Sequence, residues 1–201
     1  MKKLACTLLL LSSALVQAGF DEGLVAADKG DYQTAFKEWK PLAEQGYASA
    51  QYNLGIMYDN GQGVPQNYSQ AIYWYKKAAA QGVATAQYNL GHMYDNGQGV
   101  PQNYTQAVTW YKKAAEQGHV DAQGNLGVLY GNGQGVPQNY KIAYILFNLA
   151  ASNGSNDAKN RNIALTKLSP AAVEDAQRIT MQLHNSKNFA ADLRKLLNSQ
   201  K

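Results

Sequence analysis

The dodecapeptide MYDNGQGVPQNY occupies residues 57–68 and again 93–104, and LYGNGQGVPQNY occupies 129–140. The copies stand 36 residues apart, and the register extends well beyond them. Asn53-Leu54-Gly55 recurs as Asn89-Leu90-Gly91 and Asn125-Leu126-Gly127. Gln81-Gly82 recurs as Gln117-Gly118, loosely as Asn153-Gly154, and backwards as Gln45-Gly46. A fixed period of this length constrains the fold more than any other feature. Each unit is one supersecondary element that cannot bury its apolar face alone, so successive units have to stack.

Two helical patterns fill each unit. The second is the cleaner: Ala71, Trp74, Tyr75, Ala78 and Ala79 fall at spacing 0, 3, 4, 7, 8, one stripe of a helix. The stripe returns as Ala107, Trp110, Tyr111, Ala114, Ala115 and as Ala143, Leu146, Phe147, Ala150, Ala151. The first pattern carries Ala50, Leu54 and Tyr58, then Ala86, Leu90 and Tyr94, then Ala122, Leu126 and Tyr130. Small alanines beside large aromatics let helices interlock closely. Gly55, Gly91 and Gly127 fall inside the first helix, where glycine costs about 1 kcal/mol against alanine. A cost repeated at one place in three units predicts a neighbouring side chain passing close to the backbone there.

The dodecapeptide separates the two helices, and each part of it has a turn-making role. Its glycines suit the left-handed conformation that ends a helix. The valine before proline is driven out of the α region. Asn67, Asn103 and Asn139 stand where an N-cap is needed. A phosphate-cradling loop is the competing reading, but Gly61-Gln62-Gly63 has no third glycine at dinucleotide spacing and no following Lys-Ser or Lys-Thr.

The ends of the array differ from its middle. Residues 31–46 match the second helix of a unit, with Ala35, Trp39, Leu42 and Ala43 on the stripe, and a helix from about Asp21 to Lys29 precedes it. After residue 154 the register decays: Arg161-Asn162-Ile163 stands in place of Asn-Leu-Gly. Ser169-Pro170 reads as an N-cap and first helical position, opening a helix to about His184. Phe189, Leu193, Leu196 and Leu197 mark a last amphipathic helix. The expected fold is all-α, an α/α superhelical solenoid of 36-residue helix-turn-helix repeats. Its expected organisation is a leader over 1–18, capping helices over 19–46, repeats over 47–82, 83–118 and 119–154, and a degenerate repeat with capping helices over 155–201.

The leader is read from Lys2 and Lys3, the apolar run Leu4–Leu11 and the small residues ending at Ala18. That is the plan of a secretory signal peptide, cleaved near Ala18. The apolar run is shorter than the about 20 residues a membrane span needs, so no span is expected after cleavage. Cys6 comes too soon after the lysines for a lipoprotein site. Removing the leader takes away two lysines, lowering the net charge from +4 to +2, and the chain's one cysteine. Near-neutral charge gives no argument for nucleic acid. An exported chain without disulfides has to be stable through packing alone. The expected location is periplasmic or secreted, and the expected state a monomer.

Ala50, Leu54, Gly55, Tyr58, Gly61, Gly63, Val64, Pro65, Ala71, Trp74, Tyr75, Lys77, Ala78, Ala79 and Gly82 form a long pattern that returns twice more. It resembles the Sel-one-like repeat, a relative of the tetratricopeptide repeat. The resemblance is strong over residues 47–154 and weak at both ends. It implies an α/α superhelix and a scaffold for protein–protein contact, and it implies no reaction. Some cysteine-rich exported members are linked to penicillin binding or hydrolysis, and this chain lacks their cysteine pairs.

The residues themselves offer no catalytic constellation. The serine β-lactamase motifs Ser-x-x-Lys, Ser-Asp-Asn and Lys-Thr-Gly are absent. There is no His-Glu-x-x-His, and His92, His119 and His184 fall in different units, so no metal site is expected. No cofactor is expected either. Asp59 and Asp95 recur at lattice positions, which favours a structural role. Lys76-Lys77 and Lys112-Lys113 read as solvated heads on the outer helix. The inner surface is the place for function. In tetratricopeptide-like superhelices the first helix of each pair lines the concave face, and its outward positions here are Tyr52, Asn53 and Ile56, then Tyr88, Asn89 and His92, then Gly124, Asn125 and Val128. Positions corresponding to 52 and 56 vary between units while core positions do not. The constant asparagines form a ladder of paired donors and acceptors, able to clamp a peptide backbone or to brace neighbouring repeats. The sequence therefore points to an exported, non-enzymatic scaffold that binds a protein or peptide in a concave groove. The alternatives are a periplasmic β-lactamase-like or peptidoglycan-interacting protein, and a regulator of an envelope enzyme.

Overall fold

A computed structural model describes residues 17–155 and 158–199, and within them every element of regular structure is helical. The leader expected over 1–18 lies outside the described residues up to residue 16. The described chain forms two compact units that meet between Val83 and Ala84. The first contains α1 (17–28), α2 (Tyr32–Glu44), α3 (Ala48–Asn60) and α4 (Tyr68–Ala80). The second contains α5 (Ala84–Asn96), α6 (Tyr104–Glu116), α7 (Val120–Asn132), α8 (Tyr140–Ser152), α9 (Ala158–Thr166), α10 (Pro170–His184) and α11 (Phe189–Asn198). This is the expected all-α solenoid class, built from repeated helix-turn-helix pairs α3–α4, α5–α6 and α7–α8.

The dodecapeptide is the same turn each time. Asn67, Asn103 and Asn139 cap α4, α6 and α8, each side-chain oxygen accepting from the backbone N–H three residues on at 3.0 Å. Their own N–H groups donate back to Tyr58, Tyr94 and Tyr130 carbonyls at 2.8 Å. The Gln66, Gln102 and Gln138 amides hold the carbonyls of residues 59, 95 and 131 at 2.7 Å. Gly135 shows why its position stays glycine. Its φ is +71°, and a Cβ there would stand 2.4–2.5 Å from the Tyr104 carbonyl group.

Within each pair the mid-helix glycine admits an aromatic ring from the partner helix, as its repetition predicts. A Cβ on Gly55 would fall 2.4 Å from the Tyr75 ring, and one on Gly91 2.5 Å from the Tyr111 ring. Tyr75 and Tyr111 are fully buried. Their hydroxyls donate to Asp59 at 3.2 Å and Asp95 at 3.3 Å, so these carboxylates close a structural contact. The third pair drops both partners together, with Gly131 for the aspartate and Phe147 for the tyrosine.

A second lattice contact is polar. Gln51, Gln87 and Gln123 are buried inside the core. Gln51 donates to the Ala43 carbonyl at 3.0 Å and accepts from Gln81 at 2.8 Å, and Gln87 accepts from Gln117 at 2.8 Å. In the third pair the donor position holds Asn153, one methylene shorter, which turns to the Leu149 carbonyl at 2.9 Å. The Gln123 side-chain oxygen is left buried without a donor among the described residues.

The end of the chain does not simply extend the row of pairs. α9 packs on α8, but α10 also packs on α8, and α11 lies on α6. These are second helices, so the chain's end covers part of their outer side. The outer side of α8 is apolar accordingly: Ile142, Ile145 and Leu149 are buried where α6 has Gln106, Thr109 and Lys113. Lys141 pairs with Asp175, which also holds Arg178, and Arg194 pairs with Glu116.

The outer lysines are less evenly solvated than expected. Lys113 is exposed, its ammonium 4.5 Å above the centre of the Trp110 ring. Lys112 is half-buried beneath α11, 5.7 Å from the Tyr130 ring, and burial pulls its pKa below the ordinary lysine value against the pull of Glu116. Trp110 is half-buried, whereas Trp74 and Trp39 are core residues.

Candidate partner-binding face

The first helices of the pairs carry the residues expected to face a partner. In the first unit these are Tyr52, Asn53 and Ile56 on α3, all half-buried. The Tyr52 ring sits 6.0 Å from that of Tyr75. Asn53 and Ile56 line a small hollow of about 130 Å³ with Ala27, Tyr32, Trp39 and Met57.

In the second unit α5 and α7 are in contact, and their residues form one cluster. Tyr88 is its centre. Its ring lies 5.8 Å from Tyr111, 6.3 Å from His92, and is stacked on His119 at 4.6 Å with planes 15° apart. His92 is exposed, and Asn89, Asn125 and Val128 are half-buried, while Gly124 is buried. Asn125 donates from Nδ2 to the Tyr111 hydroxyl at 3.1 Å, and that hydroxyl donates on to Asp95. One rung of the asparagine ladder is therefore a brace between α7 and α6.

His119 was not among the expected face residues. It is the N-cap of α7, with Nδ1 accepting from the Ala122 N–H at 3.4 Å. The sequence held a signal for it. The corresponding positions are Tyr47, Val83, His119 and Ser155, which vary as positions 52 and 56 do. The fold brings His92 and His119 to the same tyrosine although one stands on α5 and the other caps α7.

Electrostatics in this cluster follow from partial burial. Burial lowers the His119 pKa, with Asp121 opposing, so the ring is neutral at pH 7. Burial raises Asp95, with the Tyr111 hydrogen bond and then His92 opposing. Tyr111 is driven far above the usual phenol value, by burial first and then by Asp95. Tyr88 rises for the same first reason, with Asp121 adding. The surface offers aromatic faces and hydrogen-bonding groups, with the exposed Asp121 beside them. Among the described residues, no group of three or more His, Cys, Asp or Glu side chains could hold a metal ion, and no helix is long and apolar enough to cross a membrane.

The Sel1 repeat family model matches residues 48–83, 84–119 and 120–155. Among solved structures, the chain is similar to a Sel1 repeat protein from Oxalobacter formigenes, at 39% identity and a TM-score of 0.66, covering 70% of this chain and 56% of that one. It is also similar to c5321, a protective antigen of uropathogenic Escherichia coli strains that displays an SLR fold. That match has 30% identity and a TM-score of 0.53, over 92% of this chain and 48% of the antigen. A stretch of 43 residues is 44% identical to mouse DAP3-binding cell death enhancer 1, 21% of this chain and 8% of that protein. The chain thus spans about half the length of these solved relatives and a small part of the mammalian one.

Proposed function

The chain belongs to the Sel1 repeat family, and from that premise we propose that it is an exported scaffold which holds a protein or peptide partner against the exposed side of its first helices. Sel1 repeats are in general scaffolds for protein–protein contact. The observation that carries the finer reading is the Tyr88 cluster. Large rigid aromatic faces supply contact area at low entropic cost, and they sit beside the exposed His92 and the half-buried Asn89 and Val128. A peptide laid across α5 and α7 would meet Asn89 with its backbone and Tyr88, His92 and His119 with its side chains.

The test is affinity capture from envelope extract with the full chain, followed by calorimetry on the captured partner. Asn89→Ala should weaken binding by about 1–3 kcal/mol if it leaves a buried polar partner unpaired, and His92→Ala should change which partners are held. Partners retained by both variants would place binding elsewhere. Export is tested separately by a reporter fused after residue 25, which should reach the periplasm and lose its leader near Ala18. An intact leader on a cytosolic product would end that claim. Turnover of nitrocefin by the purified chain would replace the scaffold reading with an enzymatic one.

A further inference from the structure

The repeat lattice also governs the outer side of the second helices. In the second unit, α11 is seated on α6 with Leu193 and Leu197 buried. Arg194 donates from Nε and Nη2 to one Glu116 oxygen at 2.9 and 2.6 Å. The Tyr130 hydroxyl donates to the Leu197 carbonyl at 3.4 Å. Leu197 shares a hollow with Lys112, Tyr130, Val136 and Pro137. Val108 is buried one turn before Lys112.

Two periods earlier the same residues stand in the same order. Lys40, Glu44, Tyr58, Val64 and Pro65 correspond to Lys112, Glu116, Tyr130, Val136 and Pro137, and Phe36 takes the place of Val108. All six lie in the first unit, on α2, the last turns of α3 and the loop that follows. They are assembled there: Phe36 meets Tyr58 edge-on at 5.9 Å, and the Lys40 ammonium is 5.9 Å from the Phe36 ring. Among the described residues of this unit, no helix is seated on them. Tyr58 is only half-buried where Tyr130 is 2% exposed, and Lys40 and Glu44 are exposed where Lys112 and Glu116 are covered. On α4 the matching triplet is Ile72, Lys76 and Ala80, which lacks the carboxylate.

We propose that the first unit carries a docking seat for an amphipathic helix supplied by a partner protein, with leucines at i and i+4 and an arginine at i+1. The chemistry is that of the seated α11, whose Leu193-Arg194-x-x-Leu197 fits the duplicate of this surface. The two leucines pack on the half-buried Phe36, Tyr58 and Val64, and the arginine reaches Glu44 in the two-bonded geometry that favours Arg over Lys. Binding uses the helix-in-groove mode, on a different side of the repeat from the first-helix face.

The probe is the chain's own segment SKNFAADLRKLLNS, residues 186–199, held helical by a side-chain lactam on its polar side and fluorescently labelled. Anisotropy with the full-length protein should show saturable binding. Glu44→Lys should lower affinity by about tenfold or more, because it sets like charges against each other. Glu44 is exposed, so an unchanged melting temperature confirms the variant's fold. A peptide carrying Arg194→Glu should fail on the unaltered protein and recover on the Glu44→Lys protein. Absence of binding to the unaltered protein overturns the proposal. So does binding indifferent to Glu44→Lys, the result expected if the peptide merely displaces α11 from α6.

Discussion

Alanine in place of an interior helical glycine normally stabilises by about 1 kcal/mol, and two glycines of the second unit should part company on that rule. At Gly131, in the last turn of α7, a new Cβ would meet the Ala143 Cβ at 3.8 Å, an ordinary contact. Gly131→Ala should therefore gain a few tenths to about 1 kcal/mol. At Gly91, in α5, the Cβ would stand 2.5 and 2.6 Å from two ring carbons of Tyr111. Carbon atoms prefer about 3.5–4.0 Å, so the ring has to retreat by roughly 1 Å. It has no space to do so, being fully buried with its hydroxyl bonded to Asp95 at 3.3 Å and Asn125 at 3.1 Å. Overpacking costs about 1–3 kcal/mol and each stretched hydrogen bond up to about 1 kcal/mol, against the propensity gain of about 1 kcal/mol. The net expectation is a loss of about 2 kcal/mol, a fall in Tm of roughly 4–8 °C for a chain of this size. Calorimetry and urea denaturation measure both variants. The double variant Gly91→Ala with Tyr111→Leu should lose less than the sum of the single losses. A Gly91→Ala protein melting at or above the parent temperature would refute the close approach on which the pairing rests.

Asn153→Gln should restore the donor missing from the third pair and raise stability by about 1 kcal/mol, since a buried acceptor then gains a partner; urea midpoints decide it. His119 has a folded pKa below its unfolded value. The unfolded chain therefore binds more protons in the window beneath about pH 6.5, and stability should fall there as pH drops. Urea titrations at pH 7.5 and 5 should show a smaller difference in His119→Asn than in the parent. Glu116→Lys should remove the hydrogen bonds that hold Arg194 and loosen α11, seen as faster amide hydrogen exchange over 189–198 with α7 protection kept.

The period was legible because its copies are nearly identical, and the helix pairs and asparagine caps because each depends on residues a few positions apart. The glycine–aromatic approach was legible too, since only a close neighbour explains a helix-weakening residue kept three times. What escaped were contacts over long sequence separations. Ile142, Ile145 and Leu149 announce that the outer side of α8 is covered, but nothing local says that α10, about thirty residues on, covers it. Lys112 reads as a twin of Lys113 until α11 is seen above it. His119 entered the face because α7 begins beside Tyr88, a juxtaposition made by the stacking of α5 against α7. The Asn125 amide could have faced outward or inward on pattern alone. The Tyr111 hydroxyl, fourteen residues away on α6, decided it.

The third pair shows how such a chain separates architecture from specificity. Asp95, Tyr111 and Asn125 form one linked contact between α5, α6 and α7. One repeat later the matching residues are Gly131, Phe147 and Arg161, so all members of the link are replaced together. Replacing a single member would leave a buried hydroxyl or carboxylate without its partner, which costs about 1–3 kcal/mol. Replacing all of them costs only packing. A hollow of about 510 Å³ lies beside this altered contact, lined by Gly127, Val128, Gly131, Phe147, Asn160 and Ile163. This contact changes as a set, whereas the Gln51–Gln81 contact loses only its donor at Asn153; both change where the row of regular pairs ends. Positions such as 52, 56 and 47 with their counterparts vary between units without any shared hydrogen-bonded link to preserve. A search for what this chain binds should begin at the variable positions that the fold gathers on one face, Tyr88, His92 and His119 first among them.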